Sequence, residues 1–241
     1  MSKKFKGQRC AYCSKREAVT GDHIFAREFF LLSARSNLPQ APICSECNNE
    51  KSKLEHYLTA VLPFGGRHAD ASENLASMVR KRLEKNVKLH RNLMAGQKIV
   101  SVSEQEGKPE ETIAIPFHGA KLEQLFSMIT RGLVWYHWGI YLEQGYEVRT
   151  QTVTPYGLEQ YEERLFRKNA RDRISENLGN GTFVYEGVQA VDDPAITVWK
   201  FRIYGGLASY EDEIAAETLG SHLVSMTAPS ATFTGAAAPT K

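Results

Sequence analysis

The sequence predicts an α+β protein with a small N-terminal unit, a helical connector and a larger C-terminal α+β domain that contains a mixed or antiparallel sheet. Three observations lead to this prediction. Two C-x-x-C pairs, separated by 30 residues, lie in the first fifth of the chain. Beyond residue 97, stretches with strand-like alternation are interleaved with longer stretches of helical periodicity. The charge is also divided, because residues 1–100 carry a net +9 and residues 101–241 a net −7.

The bulk composition is that of an ordinary globular protein. The chain has 241 residues, of which 42% are hydrophobic and 24% charged, so it has room for one large domain or two modest ones. No apolar run follows the basic N-terminus, and the most apolar stretch, residues 125–142, contains Arg131. We therefore expect a buried helix rather than a membrane span, no secretory signal, and a cytoplasmic protein whose thiols stay reduced.

The N-terminal unit is predicted to span residues 1–63. Residues 10–24 resemble a small hairpin, which begins at the first cysteine pair and presents Asp22 and His23 on a short strand. A long connection leads to the second pair, and from Ser45 an apolar stripe at helical spacing predicts a helix. Pro63, followed by two glycines, is expected to end it.

The connector, residues 64–96, is predicted to contain one helix over residues 72–95, capped by Ser72 and closed by Gly96. Six bases and one acid lie between Arg80 and Arg91. Such a face can bind the phosphates of a duplex without reading its sequence, or it can be a plain solvated surface. The residues that we expect to contact nucleic acid here are Arg80, Lys81, Lys85 and Lys88.

The C-terminal domain is predicted to span residues 97–226. Alternating apolar residues predict two strands in residues 97–117 and further strands near 146–153, 182–191, 196–204 and 220–226. Helical patterns predict an aromatic helix over residues 119–143 and a charged helix over residues 155–176. The composition of residues 227–241, rich in Ala, Thr and Pro, predicts a disordered tail.

The two cysteine pairs are the strongest chemical signal in the chain. Four reduced thiolates can bind one structural Zn²⁺ ion in a tetrahedral arrangement, and a unit of this size needs the folding energy that the ion supplies. A redox-active dithiol is the alternative, but the βαβ context of such motifs is absent. The predicted zinc ligands are Cys10, Cys13, Cys44 and Cys47.

Catalysis would need a second metal ion, because four thiolates leave zinc no open position. Asp22 and Asn48 offer hard oxygen ligands of the kind that Mg²⁺ or Mn²⁺ prefers, and His23 has a pKa range that suits a general base. Lys51 and Lys53 are expected near a bound phosphate. The alternatives are that Asn48 only caps the helix, that His23 is a buried structural residue and that the lysines are solvated.

This set of residues resembles the HNH (His-Me finger, ββα-metal) endonucleases that carry a four-cysteine zinc site. The resemblance rests on the two C-x-x-C pairs, Asp22-His23, Cys47-Asn48 and Lys51, and it covers residues 10–53. It implies that Asp22 and Asn48 hold one divalent cation against the scissile phosphate while His23 activates water, which leaves 5′-phosphate and 3′-hydroxyl ends. It also implies that Asn37 steadies His23.

The resemblance makes double-stranded DNA the expected substrate, and a role in phage defence is suggested by analogy with other HNH nucleases. The competing hypothesis is a non-catalytic zinc module that binds nucleic acid or protein. The sequence leaves open DNA or RNA, nicking or double-strand cleavage, and a trigger or partner for activity. A protein partner, if there is one, is expected to bind the acidic C-terminal domain.

Overall fold

We describe a computed structural model of the chain, which covers residues 3–102, 110–166, 170–206 and 222–234. Within these ranges the architecture is mixed α and β, with three antiparallel sheets. The strands are β1 (Thr20–His23), β2 (Gln40–Ile43), β3 (Lys98–Val102), β4 (Glu110–Ala114), β5 (Tyr146–Val153), β6 (Ala170–Leu178), β7 (Phe183–Ala190), β8 (Thr197–Ile203) and β9 (His222–Pro229). The α-helices are α1 (Ser45–Val61), α2 (Ala69–Asn74), α3 (Arg80–Lys85), α4 (Val87–Ala95), α5 (Gly119–Trp138), α6 (Pro155–Tyr161) and α7 (Ser230–Thr234).

The first sheet is a two-stranded ribbon that joins distant parts of the N-terminal unit. β1 pairs with β2, with His23 opposite Gln40. The hairpin predicted at the first cysteine pair is confirmed only as a short turn, with an antiparallel bridge between Arg9 and Glu17 and a hydrogen bond from the Cys10 amide to the Arg16 carbonyl. It does not include β1. The reason is that β1 satisfies its backbone groups across the long connection instead. The predicted helix from Ser45 is confirmed as α1, which directly follows β2.

The connector is not one continuous helix. Its helical run begins at Ala69, with the ring of His68 accepting the N-terminal hydrogen bond from Asp70 instead of the predicted cap Ser72. A π-helical turn over Leu75–Val79 follows. The run breaks at Asn86, whose side chain accepts a hydrogen bond from the amide of Leu89 and caps α4. The basic residues that sequence periodicity placed on one helix therefore belong to two.

The largest sheet has five antiparallel strands in the order β5-β9-β8-β7-β6. The predicted helix over residues 155–176 is wrong in its second half, because residues 170–178 form β6, an edge strand that carries charged side chains and so lacks a strand's usual apolar pattern. The tail predicted from Thr227 is also ordered further than expected. β9 continues to Pro229 and α7 follows it, while residues 235–241 lie outside the described ranges.

One apolar core joins the N-terminal unit to the large sheet. α5 packs along the inner face of this sheet, where the rings of Phe126 and Phe201 lie 5.1 Å apart. Phe25, which follows β1 closely, packs against Phe183 of β7 at a ring distance of 4.3 Å. One cluster of buried residues contains side chains from the predicted N-terminal unit, the connector and the C-terminal domain. The core therefore crosses the predicted boundaries between these three parts.

α5 was predicted to extend to residue 143, but it ends at Trp138, and Gly139 closes it in the left-handed conformation with φ 67°. Within the described ranges, no helix combines the length and the apolar character that crossing a membrane requires.

The position of His137 makes stability depend on pH. Burial lowers the pKa of His137 to about 4, and its Nε2 lies 3.0 Å from the hydroxyl of Tyr185. An unfolded histidine titrates near 6.5, so the unfolded state takes up the proton first as the pH falls, and stability is lost between these two values. We expect the free energy of unfolding, measured with urea, to fall less for His137→Gln than for the wild type as the pH is lowered from about 7 to about 4.5. A free-energy difference between the two proteins that stays constant with pH would contradict this assignment.

Candidate functional site

Four cysteine sulfurs meet where the first turn of the chain approaches the start of α1. The sulfur atoms of Cys10, Cys13, Cys44 and Cys47 all lie within 4.8 Å of one another, and those of Cys13 and Cys44 are 3.9 Å apart. Zinc bound to four thiolates at 2.3 Å requires sulfur separations of about 3.8 Å, whereas a disulfide requires about 2.0 Å. The four cysteines are therefore close enough to hold one metal ion, and zinc fits the arrangement.

Local backbone geometry explains why the sulfurs converge. The chain turns sharply after Cys13, where Ser14 has φ 56° and its amide donates to the carbonyl of Cys10 at 2.9 Å. The second cysteine pair begins at the N-cap of α1, so the extended residue Cys44 and the helical residue Cys47 face the same point. The amide of Cys44 donates to the sulfur of Cys10 at 3.3 Å, which links the two turns directly.

The electrostatics of the cluster favour a cation. Hydrogen bonding by the Cys47 thiol, helped by backbone amides, lowers the pKa of Cys10 to about 5 in spite of its burial. The pKa of Cys47 is raised because it lies beside that thiolate and is itself partly desolvated. One thiol of the cluster therefore ionises readily while its neighbour resists, and a divalent metal would supply the positive charge that lets all four ionise.

Asp22 lies in β1 with 14% of its side chain exposed. Its Oδ2 atom accepts two hydrogen bonds, from the Tyr12 hydroxyl at 2.6 Å and from the Lys51 ammonium at 2.9 Å. Tyr12 lies inside the first cysteine pair and Lys51 lies on α1. Asp22 is thus fixed to both halves of the cysteine cluster.

Lys51 is buried, with 1% of its side chain exposed. Its ammonium donates to the backbone carbonyl of His23 at 2.9 Å and also pairs with Glu55. Burial alone would lower the pKa of Lys51, but Asp22 and Glu55 outweigh that effect, so its pKa is raised and it remains charged. Burial raises the pKa of Glu55 to about 7. The sequence predicted a phosphate contact for Lys51. In the structure its ammonium is buried and bound to groups of the protein instead.

His23 follows Asp22 and leaves β1 on the opposite face, as strand geometry requires. Its Nε2 lies 3.0 Å from the side-chain nitrogen of Gln40, its cross-strand neighbour. Burial, followed by the charge of Arg27, lowers the pKa of His23. The imidazole is therefore neutral at neutral pH, which is the form that a general base needs.

Asn37 was predicted to steady His23. It occupies an exposed turn before β2 with φ 58°, and in the described part of the chain no hydrogen bond joins it to His23. Gln40 makes that contact instead. The predicted role of Asn37 stays a prediction, and Gln40 is the residue that the structure brings to the imidazole.

Asn48 lies in the first turn of α1, immediately after Cys47, and is half-buried. It precedes Lys51 by three residues, so the two share one face of the helix. Because Lys51 on this face contacts Asp22, Asn48 lies one turn nearer to the cysteines on the side of α1 that faces β1. Among the described residues its amide makes no side-chain hydrogen bond, so its oxygen is available to a ligand.

The predicted nucleic-acid contacts are mostly exposed. Lys53 lies on the surface of α1, and Lys81, Lys85 and Lys88 on the surface of α3 and α4. Arg80 is exposed as well but pairs with Glu84.

Tyr12, Gln40, Glu55 and Arg27 belong to the site but were missed from the sequence. A signal existed for two of them, because Gln40 faces His23 once the β1–β2 register is known and Glu55 follows Lys51 by four residues on a helix. Arg27 is exposed, and its charge acts on His23. Tyr12 gives no signal, since it is one of the two variable residues of a C-x-x-C pair.

Replacing Cys44 with serine should remove the metal. We expect the wild type to contain about one zinc per chain and Cys44→Ser to contain almost none, with a clear drop in Tm, because the ion contributes folding free energy. Elemental analysis and thermal unfolding measure both quantities. Ser14→Ala is the control, since it removes a buried hydroxyl that has no hydrogen-bond partner among the described residues, in the turn after the first cysteine pair, and it should keep its zinc. A Cys44→Ser variant with unchanged Tm would contradict the structural role of the metal.

No known protein-family profile matches the chain, and neither the curated proteins nor the solved structures contain a significant match to it.

Proposed function

We propose that this chain is a metal-dependent endonuclease of the HNH type that hydrolyses phosphodiester bonds in double-stranded DNA. One observation carries the proposal: a buried lysine on α1 holds the carboxylate of Asp22 and the backbone of His23 against the helix face that bears Asn48. We take the carboxylate, the imidazole and the carboxamide to act together at this contact between a strand and a helix. This is the set of groups that metal-assisted phosphodiester hydrolysis uses.

The order of elements supports the same proposal. β1, β2 and α1 follow one another as two strands and a helix, and the cysteine cluster joins the turn before β1 to the N-terminus of α1. This order is the one that the ββα-metal resemblance implies. Zinc in the cluster would serve only as a brace, because four sulfurs complete its coordination.

Each residue then has a defined task. Asp22 and Asn48 hold one Mg²⁺ or Mn²⁺ ion through their side-chain oxygens. His23, kept neutral by its lowered pKa, accepts a proton from the attacking water. Gln40 orients the imidazole at Nε2, with its amide turned so that the oxygen accepts from Nε2–H, and the lone pair of Nδ1 is then free to take the proton. The bound cation supplies Lewis-acid stabilisation of charge at the leaving oxygen.

Charge on α3 and α4 suits a polyanionic substrate. Lys81, Lys85 and Lys88 are exposed, and none of the three has an ion pair within the described ranges. Arg82 does not join them, because its guanidinium donates to backbone carbonyls of Thr59 and Glu28 and so ties α3 to the N-terminal unit. Such lysines contact phosphates and position a duplex, but they carry no sequence preference.

A non-catalytic zinc module is the second candidate, and one contact favours it. The ammonium of Lys51 already contacts one oxygen of Asp22. This ion pair offsets the negative charge that would attract a metal ion to the carboxylate. A binding module would show salt-dependent affinity for DNA and no cleavage with any divalent cation. The predicted setting in phage defence and the predicted partner of residues 97–226 stay predictions.

His23→Ala should lower the rate of plasmid cleavage in Mg²⁺ or Mn²⁺ by at least about 100-fold, because a positioned general base contributes that much or more. His56→Ala is the matched control, since His56 is exposed on α1 and makes no hydrogen bond within the described ranges. It should cleave at the wild-type rate. Equal activity of wild type and His23→Ala would refute the assignment, and an inactive wild type in every metal would favour the binding module.

Neutralising the exposed lysines should weaken DNA binding uniformly across sequences. The triple variant Lys81→Gln, Lys85→Gln, Lys88→Gln is expected to reduce the slope of log affinity against log salt by about 2.7, because each lost phosphate contact accounts for about 0.9. Fluorescence anisotropy in Ca²⁺ or without metal measures this slope. The control replaces three exposed arginines of the C-terminal part by glutamine, namely Arg149, Arg171 and Arg202. A similar change of slope in both triple variants would place the DNA elsewhere.

A further inference from the structure

The two oxygens of Asp22 are not equivalent. Oδ2 accepts from Tyr12 at 2.6 Å and from Lys51 at 2.9 Å, whereas among the described residues no donor reaches Oδ1. The side chain of Asp22 keeps 14% of its surface exposed, and Oδ1 is not one of the buried polar atoms that lack a partner in the described residues. One oxygen is therefore held inside the protein and the other can be reached from outside.

The groups that hold Oδ2 are themselves held. The ammonium of Lys51 is fixed by the carbonyl of His23 and by Glu55, and it lies 5.9 Å from the centre of the Tyr12 ring. Tyr12 is buried between the cysteine cluster and α5, where its hydroxyl oxygen would lie 3.3 Å from a β-carbon added at Gly132. Neither donor can move away from Asp22 without disturbing the core.

We propose that Lys51 and Tyr12 are positioning residues that bind Oδ2 of Asp22 and leave Oδ1 as a single ligand atom for the divalent cation. This inference rests on the proposed function, in which Asp22 holds the catalytic ion. It assigns Asp22 a monodentate role and gives the buried Lys51 a task other than contact with DNA. The ammonium fixes the carboxylate from behind instead of competing for the atom that binds the ion.

Glu55 explains how a cation can bind beside an ammonium. Its carboxylate pairs with Lys51, and at pH 8, above its raised pKa of about 7, the two groups together add little net charge to the site. At that pH a double variant that removes both charges, Lys51→Met with Glu55→Gln, changes the local charge little. Its effect on metal binding therefore reports the lost hold on Asp22 rather than a change in electrostatic field.

The test is a titration of the full-length protein at pH 8 with Mn²⁺ alone, followed by electron paramagnetic resonance of the free ion. Tyr12→Phe removes one donor to Oδ2, and the double variant removes the other. Loss of an outer partner of a metal ligand costs about 10-fold to 100-fold in affinity or activity. We expect both variants to weaken Mn²⁺ binding by about 10-fold or more, and a large excess of Mn²⁺ to restore part of their cleavage rate.

Two controls separate the inference from the function that it rests on. Tyr146→Phe removes a tyrosine that donates to Asp193, far from the cysteines in the sequence, and should bind Mn²⁺ like the wild type. Asp22→Asn should abolish binding.

If Asp22→Asn abolishes binding but Tyr12→Phe and the double variant bind normally, the positioning role is wrong and the nuclease proposal survives. If Asp22→Asn binds Mn²⁺ like the wild type, or the wild type binds none, both fail. Tyr12→Phe alone decides the matter if the double variant does not fold.

Discussion

The convergence of four cysteine sulfurs is the constraint on which the rest of the candidate site depends. It joins the turn at residues 10–13 to the first turn of α1, two segments separated by 30 residues of sequence. Tyr12 belongs to the first segment, and Asn48 and Lys51 follow the second. Once the sulfurs are held together, both donors to Asp22 are set in place, and the carboxylate has one orientation available.

The N-terminal unit does not stand alone. Phe25 packs into the aromatic core of the large sheet, and α5 covers the first cysteine turn through Gly132. At the other side, Tyr204 after β8 donates to the carbonyl of Phe29, and Asn74 of α2 donates to the same carbonyl. The acidic C-terminal part therefore supports the geometry of the site through a shared core.

The cluster of four cysteines could be predicted from the sequence because the spacing of two C-x-x-C pairs is typical of four ligands to one metal ion. Two C-x-x-C pairs around Asp22-His23, with Asn48 next to the last cysteine, specify a cluster and what lies beside it. The strands and helices with strong periodicity, such as α1, β7 and β8, were predicted close to their observed bounds. These elements bury one regular face, which is the property that periodicity reports.

What could not be predicted depends on contacts between distant residues. β6 carries charges like a helix surface, and only its place at the edge of the sheet explains them. Lys51 is indistinguishable in sequence from a solvated lysine, and its burial follows from Asp22 and Glu55 meeting it from two elements. Likewise, the partner of His23 depends on the β1–β2 register, which placed Gln40 opposite the imidazole and Asn37 in an exposed turn.

A crystal structure of the His23→Ala variant bound to a short DNA duplex and Mn²⁺ would test the proposed site directly. We expect one zinc at the four cysteines and one Mn²⁺ within about 2.2 Å of Oδ1 of Asp22 and of the side-chain oxygen of Asn48, with a phosphate oxygen on the same ion. Oδ2 of Asp22 should remain bonded to Tyr12 and Lys51. A Mn²⁺ ion bound elsewhere, or Asp22 and Asn48 directed at different surfaces, would contradict the proposed site.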